Sequence, residues 1–451
     1  MPLRPVPLAP WTRVPAPARP RSVPVLAVVL AAVAVLALAV AVVGLRTTPS
    51  APRIAAGDAC GPAWVTAWQA AMQPGPAPAD VIGGATLRMI MRPQVTGAQV
   101  RVRLSNAYGT APLHVDAASA ARAGEGAALV PGTAHPVTFD GRLSTVIPAG
   151  GEVVSDMVPV VADTATPLAV SVAVPQVPPV VSEHPVALQT SWLAPRGVRP
   201  DADGGAFGVP LTSWLLVSGV EVLAPRPVHA VVAVGDSITD GVGSTPDADA
   251  RWTDALAARL TAAGGTATMA VLNAGLSRNE LLAATPAGGA SPATRFERDV
   301  AAAVGVTDVV LNIGTNDIAA GRDASAIEGG IVRFADQAGA AGKRVFLTTI
   351  TPSDAGAHGT PAADATRDAV NAWVMAHGRE HAAGVIDFAA AVADRAHPER
   401  LARNADAGDG LHLSAAGYRA LAAAVPVAAL TGSPCLAGDS FARMAMSSAG
   451  T

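Results

Sequence analysis

Ala230-Val231-Val232-Ala233-Val234-Gly235-Asp236-Ser237-Ile238-Thr239-Asp240-Gly241 decides the fold of this 451-residue chain. Its first five residues have the length and β-branching of a strand buried in a parallel sheet. The Gly-flanked segment that follows is a tight turn, and it lifts the Ser237 hydroxyl to the carboxyl edge of that sheet. Proteins built from open α/β sheets place their ligands at this edge. A serine there acts as a nucleophile only if the chain also supplies a base, a group to orient the base, and donors for an oxyanion.

Working outward, the same period recurs from about residue 227. Apolar strands are expected at Ala230–Val234, Ala267–Leu272, Val309–Ile313, Val345–Ile350 and Val385–Phe388. Helical stretches fall near Trp252–Ala263, Ala293–Val304, Ala324–Gly339, Ala363–His377 and Ala415–Leu430. Strand-then-helix repetition predicts a doubly wound parallel sheet of about five strands. Upstream the period is two. Gln99-Val100-Arg101-Val102-Arg103-Leu104 alternates, as do Val170, Val172 and Val174, and Thr86–Arg92, Glu152–Val160 and Thr212–Leu223 are further strand candidates. Turn residues at short intervals make residues 60–226 a β-sandwich domain by pattern. Pro225-Arg226-Pro227 is the expected boundary with a second domain over 227–435, and residues 436–451 read as a tail.

Charge and composition narrow the function. The chain is 50% hydrophobic and 15% charged, so it is globular rather than disordered. The formal charge is −4; residues 1–45 hold four arginines and no acid, which leaves the remainder at −8. A mildly acidic body has no electrostatic footprint for nucleic acid. Between Arg21 and Arg46 lie 24 uncharged residues dominated by Ala, Val and Leu. As a helix they rise roughly 36 Å, enough to span a bilayer core. Residues 1–22 then form a Pro/Arg-rich cytoplasmic tail, residues 23–45 a transmembrane signal-anchor and residues 46–59 a linker. The arginines before the apolar run put the catalytic part outside. Cleavage near Ala39-Val40-Ala41, giving a secreted protein, is the alternative. The two cysteines, Cys60 and Cys435, flank the folded body. An extracytoplasmic setting permits a disulfide between them, and two unrelated thiols are the other reading. No Cys or His cluster of metal-binding type occurs, so neither metal nor cofactor is expected.

The missing partners of Ser237 occur downstream. In Asp409-Gly410-Leu411-His412, three-residue spacing within one turn lets Asp409 meet one imidazole nitrogen while the other faces the nucleophile. Asn316, in Gly314-Thr315-Asn316-Asp317, follows the third strand and shares its edge of the sheet with Ser237. Its amide is a neutral donor suited to a developing oxyanion.

These segments, with Asn273-Ala274-Gly275-Leu276-Ser277-Arg278-Asn279, resemble the sequence blocks of the SGNH (GDSL) hydrolase family. The resemblance covers roughly residues 227–430. It implies a flavodoxin-like fold and metal-free ester hydrolysis, with Ser237, His412 and Asp409 as the triad. It also implies that Ser237 N–H, the Asn316 side chain and a third backbone N–H hold the oxyanion. Residues 60–226, with Trp64-Val65-Thr66-Ala67-Trp68 and Arg101–Asn106, resemble the β-domain of some secreted members. In the family's pattern the third donor is a glycine aligned with Arg278, and Gly275 falls three residues early. The Arg278 N–H survives the exchange, and its guanidinium leads us to expect a substrate with a nearby anionic group.

The remaining candidates have plainer readings. Asp236 fixes the turn, and Asp240 and Asp317 are loop acceptors. Trp252 and Trp373 are core residues, and Trp192 and Trp214 fill a core more readily than they stack a sugar. His114, His135, His184, His229, His358, His377, His381 and His397 lack an aspartate at the spacing of Asp409 and read as surface or satisfied. Gly438-Asp439-Ser440 repeats the nucleophile tripeptide with no strand before it and is given no role. The sequence therefore predicts an envelope-facing serine esterase acting on short-chain, O-acetyl-type esters, with acylated carbohydrate as a candidate substrate. A lipid esterase or acyltransferase with the same triad is one alternative, and an inactive tethered carbohydrate-binding protein is another.

Overall fold

The computed structural model describes residues 59–76 and 82–437. The transmembrane segment expected at residues 23–45 lies outside the described residues. Among the described residues no helix is long and apolar enough to cross a membrane. Gly438-Asp439-Ser440 is also outside them. From Cys60 to Ala437 the described residues belong to one compact unit.

The downstream half is a five-stranded parallel sheet. Its spatial order is Ala270–Gly275, Ala230–Gly235, Val306–Asn312, Arg344–Thr348, Gly384–Ile386, which is sequence order 2-1-3-4-5. That is the flavodoxin-like winding, whose direction reverses between the first and third strands. The first strand is central and buried throughout, and its side chains alternate between two cores. Val232 and Val234 face a core that includes Phe334, Val370 and Val374 from helices Ala324–Ala340 and Pro361–His381. Val231 and Ala233 face a second, with Trp252, Leu256, Tyr418 and Leu421 from helices Trp252–Ala263 and Ala415–Ala424. A run apolar on both faces therefore follows from cover on both sides.

Element ends shift for local reasons. The last helix stops at Ala424, short of the expected Leu430, because Pro426 cannot continue it and biases Val425 to extended backbone. The fifth strand ends at Ile386 because the Asp387 side chain accepts from Ala390 N–H and caps a new helix, Phe388–Val392. The expected helix near Ala293–Val304 starts at Pro292 and continues past Phe296 as a single π turn, Glu297–Ala301.

The upstream half is β-rich. One antiparallel sheet joins Ala63–Gln69, Val217–Ala224, Val100–Ser105 and Glu152–Val154. A larger one runs Val209–Leu211, Ser191–Ala194, Thr86–Met91, Leu168–Ala173, Ala117–Arg122 and His135–Val137. Residues of both sheets, such as Val102 and Leu104 of one and Leu87 and Val170 of the other, share a core. The strand expected over Thr212–Leu223 is broken at Leu216, whose φ of 65° is left-handed. Its halves, Trp214–Leu215 and Val217–Ala224, belong to different sheets. Trp214 is core, as read: its ring meets Trp68 edge-on at 4.9 Å, and its indole N–H donates to Ile90 O at 2.7 Å. Trp192 packs half-buried beside Ile90, Ala169 and Phe207.

The core of the β-rich half is continuous with one face of the parallel sheet, since Val65 and Trp68 belong to the same cluster as Val232 and Leu272. Thr66 exchanges hydrogen bonds with Val304, N–H to O and N–H to Oγ1, both at 2.9 Å. Pro225–Pro227 thus marks a change of topology within one packed body. Cys60 and Cys435 are joined by a disulfide, with Cα atoms 5.3 Å apart, and so staple the two ends of that body.

Candidate active site

The site is built on the reversal point of the sheet. The first strand ends at Gly235, where a Cβ would meet Asn312 O at 2.3 Å, so only glycine allows the third strand this close. Asp236 then caps a single helical turn, Ser237–Asp240, by accepting from Ile238 N–H at 3.0 Å. Burial, reinforced by Asp317 and Asp240, pushes the Asp236 carboxyl up to about 7. Gly241 closes the turn at φ 104°. Ser237 N–H, the first of this turn, has no acceptor within it.

His412 Nε2 lies 2.9 Å from Ser237 Oγ, and His412 Nδ1 lies 2.6 Å from Asp409 Oδ2. Asp409 Oδ1 also accepts the backbone N–H groups of Leu411 and His412, at 3.0 and 2.8 Å. Burial opposes the charge of Asp409, but hydrogen bonds from the His412 side chain, His412 N–H and Leu411 N–H hold its pKa at about 2. The carboxylate is thus ionised at any pH where an esterase works. Gly410, between the two residues, has φ 74°, and a Cβ there would meet Asp354 Oδ1 at 2.1 Å. The loop bearing Asp354 grips the turn: Ser353 Oγ and Asp354 N–H both donate to Gly410 O. Asp409 is about half exposed and His412 17% exposed, so the site opens directly at the surface.

The proposed oxyanion donors converge on the same edge. Asn316 follows the third strand in the short helix Thr315–Ala319. Its amide donates to Asn279 O at 3.0 Å, leaving one N–H for a further acceptor. The loop carrying Arg278 is fixed from below by Asp317, whose two carboxylate oxygens accept Leu281 N–H and Leu282 N–H. Arg278 itself has φ 63°, the left-handed backbone that glycine adopts without cost. Its carbonyl sits so close to Gly288 that a Cβ on the latter would lie 2.1 Å from it. The Arg278 guanidinium is exposed and makes no hydrogen bond or ion pair among the described residues. Gly275 serves a different contact: a Cβ there would meet Asp240 N at 2.2 Å.

Two histidines read as surface or satisfied are near this chemistry. His358, half-buried, points Nε2 at Asn316 Oδ1 from 3.5 Å, and burial, with His412 nearby, lowers its pKa. His184 is buried against Asp240. Both lie far from Ser237 in sequence, so no local spacing could have revealed them.

A 2-1-3-4-5 parallel sheet with hydroxyl, imidazole and carboxylate in series at its reversal point defines the class: an α/β protein with the side-chain series of a serine hydrolase. Residues 233–420 match the GDSL-like Lipase/Acylhydrolase family; they form a domain of that family, and the chain is a hydrolase acting on ester bonds. No curated protein matches the chain. Solved structures that resemble it include a carbohydrate acetylesterase family member from Sinorhizobium meliloti. That likeness has 17% identity over 45% of this chain and 99% of that one, with a TM-score of 0.38. The aryl esterase of M. smegmatis is similar at 20% identity over 44% and 96% of the two chains, TM-score 0.34. A GDSL-like lipase from Bacteroides thetaiotaomicron VPI-5482 is similar at 22% identity over 44% and 87%, TM-score 0.34.

Proposed function

We propose that the protein is a serine esterase that removes short acyl groups, of O-acetyl type, from carbohydrate. The observation that carries the mechanism is the unbroken series Asp409–His412–Ser237, with contacts of 2.6 and 2.9 Å. Ser237 Oγ attacks the acyl carbonyl while His412 Nε2 takes its proton, and Asp409 holds the imidazole and stabilises its charged form. Ser237 N–H, Arg278 N–H and the free Asn316 amide hydrogen receive the oxyanion. His412 then returns the proton to the departing alcohol oxygen. Water, activated by the same imidazole, releases the acyl group from Ser237.

The carbohydrate reading is supported by the β-rich half packed against the hydrolase and by the surface position of the site, which a polymer can reach. The free guanidinium of Arg278 supports a substrate with an anionic group beside the ester. The apolar residues 23–45 support an anchored, outward-facing enzyme, which membrane fractionation with surface proteolysis would test. For the activity, the full chain is assayed on nitrophenyl esters of two to twelve acyl carbons beside Ser237→Ala. Turnover confined to short chains and lost in the variant is expected. A preference for long chains would make the protein a lipid esterase, and equal rates for both proteins would remove the triad.

A further inference from the structure

We infer that His184, a residue of the β-rich half, is a positioning residue for the oxyanion hole of the hydrolase half. The inference rests on the esterase reading for its kinetic part alone. His184 ends the strand Val180–His184 and is 3% exposed. Its Nδ1 lies 2.8 Å from Ala71 O, and its Nε2 lies 3.0 Å from Asp240 Oδ1 and 3.2 Å from Val186 O. Every neighbour of both ring nitrogens is an acceptor, so only the doubly protonated ring satisfies them all. Burial opposes that charge, but Asp240 and the Ala71 carbonyl outweigh it and raise the pKa of His184 above its ordinary value.

Asp240 is the hinge of the arrangement. It is the last residue of the turn that begins at Ser237, and its second oxygen, Oδ2, accepts both Ser277 N–H at 2.9 Å and Ser277 Oγ–H at 2.7 Å. Ser277 directly precedes Arg278, whose N–H is the proposed oxyanion donor. One carboxylate therefore locks the nucleophile turn to the donor loop, and an imidazolium from the other half of the molecule balances its charge. Arg251 reinforces the clamp from its side, donating to Asp240 O at 3.1 Å and to Ala187 O. Without His184, Asp240 is a buried carboxylate left with the Ser277 donors alone. A buried carboxylate that has lost its paired cation draws water or shifts position to be solvated, and either event loosens its hold on Ser277. A donor displaced by a fraction of an ångström weakens binding of the oxyanion more than binding of the ester, so the loss falls on kcat.

The test compares His184→Gln, whose amide nitrogen reaches the position of Nε2, with His184→Asn, which is too short to reach Asp240. Both keep a polar group in the pocket of the full-length protein. Two readouts are taken: hydrogen exchange of the backbone amides at residues 276–281, and kcat and KM on nitrophenyl acetate. His184→Asn is expected to speed exchange at 276–281 at least ten-fold. It should lower kcat thirty-fold or more with KM within three-fold, and His184→Gln should restore both to within about five-fold of wild type. Adding Asp240→Asn to His184→Asn should lower kcat no further than Asp240→Asn alone. Unchanged exchange at 276–281 in a folded His184→Asn variant overturns the inference whether or not the protein hydrolyses esters. An active wild type with unchanged kcat in that variant overturns it equally, and inactive wild type with altered exchange would count against the esterase reading alone.

Discussion

At the scale of single residues, the left-handed backbone of Arg278 separates two effects that the sequence joins. The N–H is the proposed oxyanion donor, while the side chain is held at φ 63° at a cost glycine would not incur. Arg278→Gly is therefore expected to keep the donor and relieve about 1–3 kcal/mol of strain, partly offset by about 0.4–1 kcal/mol of added unfolded-chain entropy, raising the thermal midpoint slightly. It should also lower activity on acidic esters relative to neutral ones. Equal relative activity on the two substrate classes would remove the specificity role. Asn316→Ala, by contrast, should lower kcat by roughly 10²–10³-fold with KM little changed if its amide is the transition-state donor proposed. Asp409 stays ionised down to about pH 2, so acid inactivation above that pH does not come from its protonation. Asp409→Asn should then lower kcat across the whole pH range by on the order of 10⁴-fold, without creating a new acid limb.

At the scale of elements, the strands and turns that carry the site were readable because each is a local signal. The buried run before Ser237, the strand before Asn316 and the Asp409–His412 turn sit where the sequence places them, and Trp252, Trp214 and Asp236 have the roles read for them. The elements misjudged have non-local causes. Leu216 breaks the continuous apolar run Trp214-Leu215-Leu216-Val217, because its two flanks join different sheets. His184 is satisfied, as read, but the partners that bring it and His358 near the site lie 56 and 42 residues away in sequence. Gly410 illustrates an element-level constraint that sequence alone cannot weigh. Gly410→Ala should displace the Asp409–His412 turn, because its Cβ would meet Asp354 at 2.1 Å and its φ of 74° is left-handed. A fall in kcat of at least about 10²-fold with the β-sheet circular dichroism intact is expected, on the sensitivity of catalysis to ångström misplacement. Wild-type kcat in that variant would show the turn to be held by other contacts.

At the scale of the whole molecule, the Cys60–Cys435 disulfide closes a loop of 375 residues. A cross-link of that span stabilises by up to ~5 kcal/mol in the chain-entropy account. Reductant, or Cys60→Ser, should lower the thermal midpoint by several degrees without changing kcat at 25 °C, and an unmoved midpoint would show the ends to be held by packing alone. The His184–Asp240 pair adds a pH signature. Asp240, Arg251 and Glu183 act directly on His184, and Arg92, Asp249 and Asp254 line the same cavity. Since the folded-state pKa of His184 is raised, its stabilisation is fully present below the unfolded value of about 6.5 and is lost as pH rises through the folded value. The midpoint difference between wild type and His184→Gln should therefore be largest at acid pH and shrink toward alkaline pH; a constant difference would mean the ring is not charged in the fold. The flavodoxin-like winding was legible from the alternation of strand and helix. The continuity of its core with the β-rich half was not, because Val65 and Trp68 look like ordinary strand residues until the strand Ala63–Gln69 is seen among the side chains that cover the parallel sheet.

The central claim is that Ser237 is the nucleophile activated by His412. Intact-mass spectrometry of the full chain after exposure to a fluorophosphonate tests it most directly. One adduct per chain is predicted, mapping to Ser237, absent in Ser237→Ala, and formed at least a thousand-fold more slowly in His412→Ala. A folded wild-type protein that takes up no adduct, or takes it up equally in Ser237→Ala, would contradict the account.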